Sequence, residues 1–331
     1  MKTKILSWLL VLCLTAGLSG IALAQTEAQP EALPGVGGSL HGFTVIESGS
    51  FDLLGVPATL FQHDKTGALV YCIQSSDVNR AFSIAFRTPA LDNTGAPHVF
   101  EHITISGSDK YPSSSLFFPL VNQTYNTFIN AMTGNCYTIY PMASLSEEQL
   151  FKLADVYLDG VFHPMLYRDE RLMLREAWRY ELPDAQSSLT LTGTVYNEMK
   201  GARTIARLAN QNLQAALYPD SIVGNDSGGD PEYIPDLTYG QLLSFHDAYY
   251  HPSNAFVVLY GDLDFARFLE LLDTSYFGQY DRKDIAIETG AIPPQDGLVT
   301  ASLPFPVEAN ANTANGSYIE YGFVANGATK E

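Results

Sequence analysis

Residues 94–107 read TGAPHVFEHITISG, and the reading of the whole chain turns on them. Pro97 suits the first turn of a helix, where the missing N–H costs no hydrogen bond, and Gly107 suits its end. On such a helix His98 and His102 stand four residues apart and project from one face about one turn apart. Glu101 lies on the same side, three residues from His98. Zinc binds imidazole readily, and a catalytic zinc site uses three protein ligands and keeps one position for water. A Glu between the two histidines sits beside that water as a general base. The spacing His-x-x-Glu-His is the inverted zinc-peptidase motif. The chain has only 7 histidines in 331 residues, so a chance match is rare. The plain alternative is a helix bearing two surface histidines and an ion-pairing glutamate. A third ligand has to come from elsewhere, and Glu198 in Asn197-Glu198-Met199-Lys200-Gly201 is the candidate.

Working outward, strands surround this helix. Residues 58–63 and 69–74 flank Asp64-Lys-Thr-Gly67, a hairpin turn with glycine where positive φ is needed. Phe82, Ile84 and Phe86 alternate with Ser83, Ala85 and Arg87, the period of a strand. Ser146-Glu-Glu-Gln149 reads as a capping box before Leu150, Leu153, Ala154, Tyr157, Leu158 and Val161, which share one helix face. Thr238-Tyr-Gly-Gln241 repeats the device before Leu242, Phe245 and Tyr249. Phe256 to Tyr260 is a further strand and Phe265 to Leu272 a further helix. Strands and helices mix without regular βαβ alternation, which predicts an α+β fold.

Composition sets the outer bounds. With 46% hydrophobic residues the chain can bury a sizeable core. Its formal net charge of -18 would repel nucleic-acid phosphates, so no nucleic-acid partner is expected. The acidity serves solubility; an acidic chamber for basic peptides is the other reading. A basic start at Lys2 and Lys4, the apolar run from Ile5 to Leu14 and the exit Ala22-Leu23-Ala24 describe a signal peptide over 1–24, cleaved near Ala24. This predicts an exported protein with no membrane span. Residues 25–40 read as a flexible linker. Cys72 and Cys136 are expected as two free thiols, with pairing between them the alternative. His246 and His251, set among aromatics, are expected to be structural, and Ser227-Gly-Gly-Asp230 a shaped loop. Beyond Arg282 two short strand-like runs, 298–303 and 317–324, are too little to bury a core, so 283–331 reads as a linker and the incomplete start of a second domain.

Several stretches make the chain recognisable: TGAPHVFEHITISGSDKYP from Thr94, TFINAMT from Thr127, ADVYLDGVFHP from Ala154, REAWRYE from Arg175, GTVYNEMKGA from Gly193 and SGGDPEYIPDLTYGQLLSFHDAYYHPSNA from Ser227. In these the chain resembles the insulinase/pitrilysin-type inverzincins, in their presequence-protease and falcilysin branch. The resemblance implies an insulinase-type metallopeptidase domain over 41–282, a mixed sheet packed with helices. It implies that His98, His102 and Glu198 bind Zn2+ and that Glu101 activates the water. It places Asn130 and Ala131 on an edge strand where peptide substrate adds as a further strand. Glu176 is implied as a partner that orients a ligand histidine, with a surface ion pair as its plainer reading. The expected function is an exported zinc metalloendopeptidase acting on unstructured oligopeptides. Members of this branch close two halves around a chamber, so a C-terminal half or second subunit is an expected partner. The alternative is a peptide-binding or truncated subunit that is inactive without that half.

Overall fold

The structure is a computed structural model, and it describes residues 32–325 apart from 220, 288–296, 306, 308 and 309. It opens with strands β1 (Ser39–Leu40), β2 (Phe43–Phe51), β3 (Val56–His63), β4 (Leu69–Gln74) and β5 (Arg80–Arg87). Helices α1 (Ala96–Thr104) and α2 (Phe117–Gln123) follow, then β6 (Asn126–Ile129), β7 (Met132–Thr133) and β8 (Tyr137–Ser144). Next come α3 (Glu147–Phe162), α4 (Arg171–Glu176), the small hairpin β9 (Arg179–Glu181) and β10 (Thr190–Thr192), and α5 (Thr194–Gly201). The last elements are α6 (Ile205–Leu217), α7 (Tyr239–Tyr249), β11 (Ala255–Gly261) and α8 (Phe265–Ser275). The fold is α+β, as the mixture of patterns predicts.

The main sheet runs β1-β2-β3-β4-β11-β5-β8-β6, with β7 also on β8. The β3–β4 hairpin turns where its sequence says it should, and Gly67 takes φ 80. Strand β11 enters between β4 and β5 from far along the chain, parallel to the first and antiparallel to the second. No short-range signal announces that insertion. Its Val257 and Leu259 are fully buried, as are Phe82 and Ile84 on β5. Phe82 stacks on Phe268 of α8, whose ring also stacks on Phe151 of α3 at 3.9 Å, and this joins sheet to helices. Such pairs are worth ~1 kcal/mol each beyond the area they bury.

Helix α3 carries the apolar face read from its sequence: Leu150, Leu153, Ala154, Tyr157, Leu158 and Val161 are all buried. Its Ser146 accepts from the Gln149 N–H, which caps the helix from one side, whereas Thr238 and Gln241 form the full reciprocal box at α7. Gly160 is where α3 meets α1. A Cβ there would come within 2.3 Å of the Thr104 carbonyl oxygen.

Three local expectations need correction. Helix α1 ends at Thr104, so Gly107 does not cap it; Gly107 instead lets the chain pass close to Ser113, whose carbonyl a Cβ would strike at 2.1 Å. The linker reading of 25–40 extends into β1, whose Ser39 and Leu40 pair with β2. The runs at 298–303 and 317–324 form no strand, because among the described residues no strand pairs with them; Leu298, Ile319, Tyr321 and Phe323 are exposed. Gly322 nevertheless rests against Leu213 and Leu217 of α6. Cys72 and Cys136 are both free thiols, the first buried on β4 and the second half-buried before β8. No helix among the described residues is long and apolar enough to cross a membrane.

Candidate metal centre

Helix α1 begins at Gly95, which takes φ 72, with Pro97 in its first turn. The positive φ turns the chain out of the loop into the helix at a position where L side chains are strained. Gly95 also packs on Gly229, so closely that a Cβ would lie 2.7 Å from its Cα. This contact brings the 227–230 loop over the helix, and the Gly228 carbonyl accepts from His98 Nδ1 at 3.0 Å. That bond leaves His98 Nε2 as the free ring nitrogen.

Four residues on, His102 is held from the other side. Its Nδ1 lies 3.6 Å from Glu176 Oε2 at the end of α4. Arg175 Nε donates to Glu176 Oε1 at 2.7 Å and Ser106 Oγ donates to the same oxygen at 3.2 Å. Glu176 is buried, yet its carboxyl is held below the usual range: burial pushes it up, and the His102 and Arg175 bonds outweigh that.

With both Nδ1 atoms engaged, both Nε2 atoms converge on Glu198 of α5. His98 Nε2 lies 3.7 Å from Glu198 Oε1 and His102 Nε2 lies 3.6 Å from Oε2. Among the described residues these three form the group able to hold a metal ion, with one donor atom from each all within 4.8 Å of one another. Bonds of about 2.0–2.2 Å in a tetrahedron need donors roughly 3.3–3.5 Å apart. Two imidazoles and a carboxylate therefore fit zinc with a small inward movement. Glu198 is 53% exposed, so its movement is cheap and one side of the cluster faces solvent.

The electrostatics favour a cation. Three carboxylates, Glu101, Glu176 and Glu198, surround two imidazoles. Burial lowers the His102 pKa, but Glu176, Glu101 and Glu198 together override it and raise it. A divalent cation satisfies the same field while leaving both imidazoles neutral.

Glu101 is not a member of this group of three donors. It is 7% exposed, and its Oε2 accepts from Thr133 Oγ1 of β7 at 2.5 Å. Burial raises its pKa against the opposing pull of Thr133, His98 and His102. Asn130 and Ala131 lie between β6 and β7 on the outer edge of the main sheet, Asn130 exposed and Ala131 buried. The edge therefore passes directly beside Glu101, since Thr133 belongs to it.

Two further histidines of the matched stretches, His246 and His251, make structural contacts. His246 is buried, stacks on Phe100 and Tyr250, and bonds the Val161 carbonyl and Tyr167; burial lowers its pKa to about 4. His251 caps the turn at Ser253. A surface groove lies away from the cluster, between α3 and α8 beside Phe151, Asp155 and Arg267. No residue of the cluster borders it.

The chain is 36% identical over 289 residues to Protein HypA of Clostridium perfringens, covering 87% of this chain and 30% of that protein. It is 42% identical over 245 residues to the mitochondrial presequence protease of Drosophila melanogaster, covering 72% of this chain and 23% of that one. These relatives bear out the resemblance to the presequence-protease branch of the insulinase/pitrilysin-type peptidases. Among solved structures it superposes on pitrilysin with a TM-score of 0.55 at 19% identity, over 78% of this chain and 26% of that one, and so shares its fold. A family profile described as "Peptidase M16 inactive domain" matches residues 236–331. The chain thus spans less than a third of the length of these curated relatives. The expectation of an exported protein is overturned, because relatives of this branch carry mitochondrial or chloroplastic names. The signal-peptide reading of 1–24 falls outside the described residues.

Sequence reasoning misses the two groups that aim the site. It gives Gly228 only as part of a shaped loop, and it does not single out Thr133. The adjacent glycines 228 and 229 opposite Gly95 are the available signal. Replacing Gly95 by Ala is expected to cost about 2–4 kcal/mol of stability, from positive φ plus the clash with Gly229. It should also weaken zinc binding by moving the Gly228 carbonyl off His98, by roughly 10–100-fold. Thermal unfolding together with a zinc titration checks both, and unchanged values would show the contact to be slack.

Proposed function

We propose that residues 41–282 form the zinc-binding catalytic part of a metalloendopeptidase that hydrolyses unstructured oligopeptides. The observation that carries this reading is the convergence of His98 Nε2, His102 Nε2 and a Glu198 carboxylate oxygen beside Glu101. Zinc held by His98, His102 and Glu198 would supply a Lewis acid for a peptide carbonyl and for water. The chain's own residues do the rest. Glu101 is fixed by Thr133 through one oxygen, which leaves the other to take a proton from the attacking water and pass it to the leaving amine. Its burial keeps bulk water from competing for that proton. The Gly228 and Glu176 contacts hold both ligand rings in place, so they need not reorganise during the reaction.

The edge at Asn130 and Ala131 receives the substrate as an added strand. Backbone pairing grips an extended peptide whatever its side chains, which suits unstructured oligopeptides and excludes folded ones. Residues 283–331 begin a second domain in this reading.

A second reading has its own support. The family profile over 236–331 is described as inactive, and the chain covers under a third of its relatives. On that reading this part binds zinc and peptide but turns over only when a C-terminal half closes the site. One experiment separates them. Purified chain should carry about one equivalent of zinc and bind a labelled unstructured peptide, and a chelator should abolish cleavage. Cleavage without any added half supports the first reading, and cleavage only on adding that half supports the second. A chain with neither zinc nor peptide binding would sink both.

A further inference from the structure

The edge strand contains a gap that its own neighbour creates. Ile129 opposes Met142 and Met132 opposes Ile139, so beyond the irregularity between Asn126 and Phe128 a single register runs along β8 from Phe128 to Thr133. Asn130 therefore opposes Pro141, and Ala131 opposes Tyr140. The Asn130 N–H donates to the Pro141 carbonyl at 3.1 Å. In an antiparallel ladder such a pair exchanges two bonds, the second running back from residue 141 to the Asn130 carbonyl. Proline has no N–H, so the return bond cannot form. The Asn130 carbonyl is met instead by the hydroxyl of Tyr157, reaching from α3 at 3.4 Å. Tyr157 is only 2% exposed, and its ring stands edge-on to that of Tyr140 at 6.2 Å.

The backbone groups of Asn130 face β8, so by the alternation of a strand those of Ile129, Ala131 and Thr133 face the free edge. Side chains alternate as well: Ile129 and Ala131 are buried, Phe128, Asn130 and Met132 exposed. Helix α3 touches this edge through Tyr157 and, one turn later, touches the carboxyl end of α1 through Gly160. One rigid helix therefore spans from the edge to the helix that bears His98, Glu101 and His102.

We infer that Tyr157 is a positioning residue for the peptide-receiving edge. Its hydroxyl completes the Asn130–Pro141 pair and keeps the outward N–H and C=O of Ala131 in strand geometry, at a distance from Glu101 fixed by α3. The inference rests on the proposed reading that peptide adds at this edge.

Two substitutions test it, one removing the hydroxyl and one restoring the missing donor. In a Glu101→Gln parent, which binds without turnover, Tyr157→Phe should speed hydrogen exchange over residues 128–133 by ~3–10-fold. Affinity for a fluorescent, unstructured peptide should fall by a similar factor. Zinc content should not change, because Tyr157 touches no ligand. The double variant Tyr157→Phe/Pro141→Ala should return both readouts to within about twofold of the parent, since an alanine opposite Asn130 has the N–H that proline lacks. A merely structural loss at Tyr157 would not be repaired from Pro141. Unchanged exchange and affinity in Tyr157→Phe, or a defect that Pro141→Ala leaves in place, would overturn the inference while the edge reading stands. A parent that binds no peptide would overturn the edge reading and this inference with it.

Discussion

Glu101→Gln should retain its zinc and lose peptide cleavage by a factor of ~100 or more, the usual worth of a positioned general base. The substitution keeps the shape and can still accept the Thr133 hydrogen bond, so neither α1 nor β7 has cause to move. What it removes is the ability to take a proton. The site makes the comparison clean because Glu101 is buried and lies outside the group of three converging donors. The check is metal analysis and steady-state cleavage of one unstructured peptide on the same preparation, with the C-terminal half present if turnover requires it. A variant that lost zinc in parallel with activity would make Glu101 a ligand or a structural residue, and the assignment would be withdrawn.

His102→Ala should do the opposite and lose the metal itself. Structural zinc sites with four ligands bind with roughly 10–16 kcal/mol, so one ligand is worth on the order of 3 kcal/mol, or ~100-fold or more in affinity. The loss is compounded around the cavity left by the ring. Glu176 would keep Arg175 and Ser106 but face an empty space where His102 stood, and Glu198 would keep only His98. Equilibrium dialysis against a mild chelator, followed by metal analysis, should leave well under one equivalent. Far-UV spectra should stay native, since the core beneath α1 is built from Val99, Phe100 and Ile103 and does not involve the ring. A variant that still held one equivalent would show that zinc sits elsewhere.

Whatever depends on local spacing is legible in the chain of residues before any folding. The i,i+4 histidines with Glu101 between them, the β3–β4 hairpin at Gly67, the buried face of α3 and the Thr238 cap at α7 all belong here. Each is decided by neighbours within about one turn or one hairpin, where periodicity and turn chemistry act. Glu198 is named as the candidate third ligand, and the resemblance of its surrounding stretch to a known family carries that choice; nothing local ties α5 to α1. The 317–324 run misleads for the same reason in reverse. Its alternation is that of a strand, yet a strand exists only where another offers it hydrogen bonds.

The remaining contacts arise only from closure of the chain in three dimensions. Closure sets β11 between β4 and β5, brings the Gly228 carbonyl onto His98, lays Thr133 against Glu101 and answers the missing N–H of Pro141 with Tyr157. Tyr157 and Asn130 are 27 positions apart in the chain, Gly228 and His98 130 apart. These residues meet through directional hydrogen bonds whose partners carry no shared period. Sequence pattern reports which face of an element is buried; it does not report which distant carbonyl or hydroxyl that face will meet. Here the proposed ligands His98 and His102 and the proposed base Glu101 are written in the local pattern, and the groups that hold them in place exist only once the chain has closed.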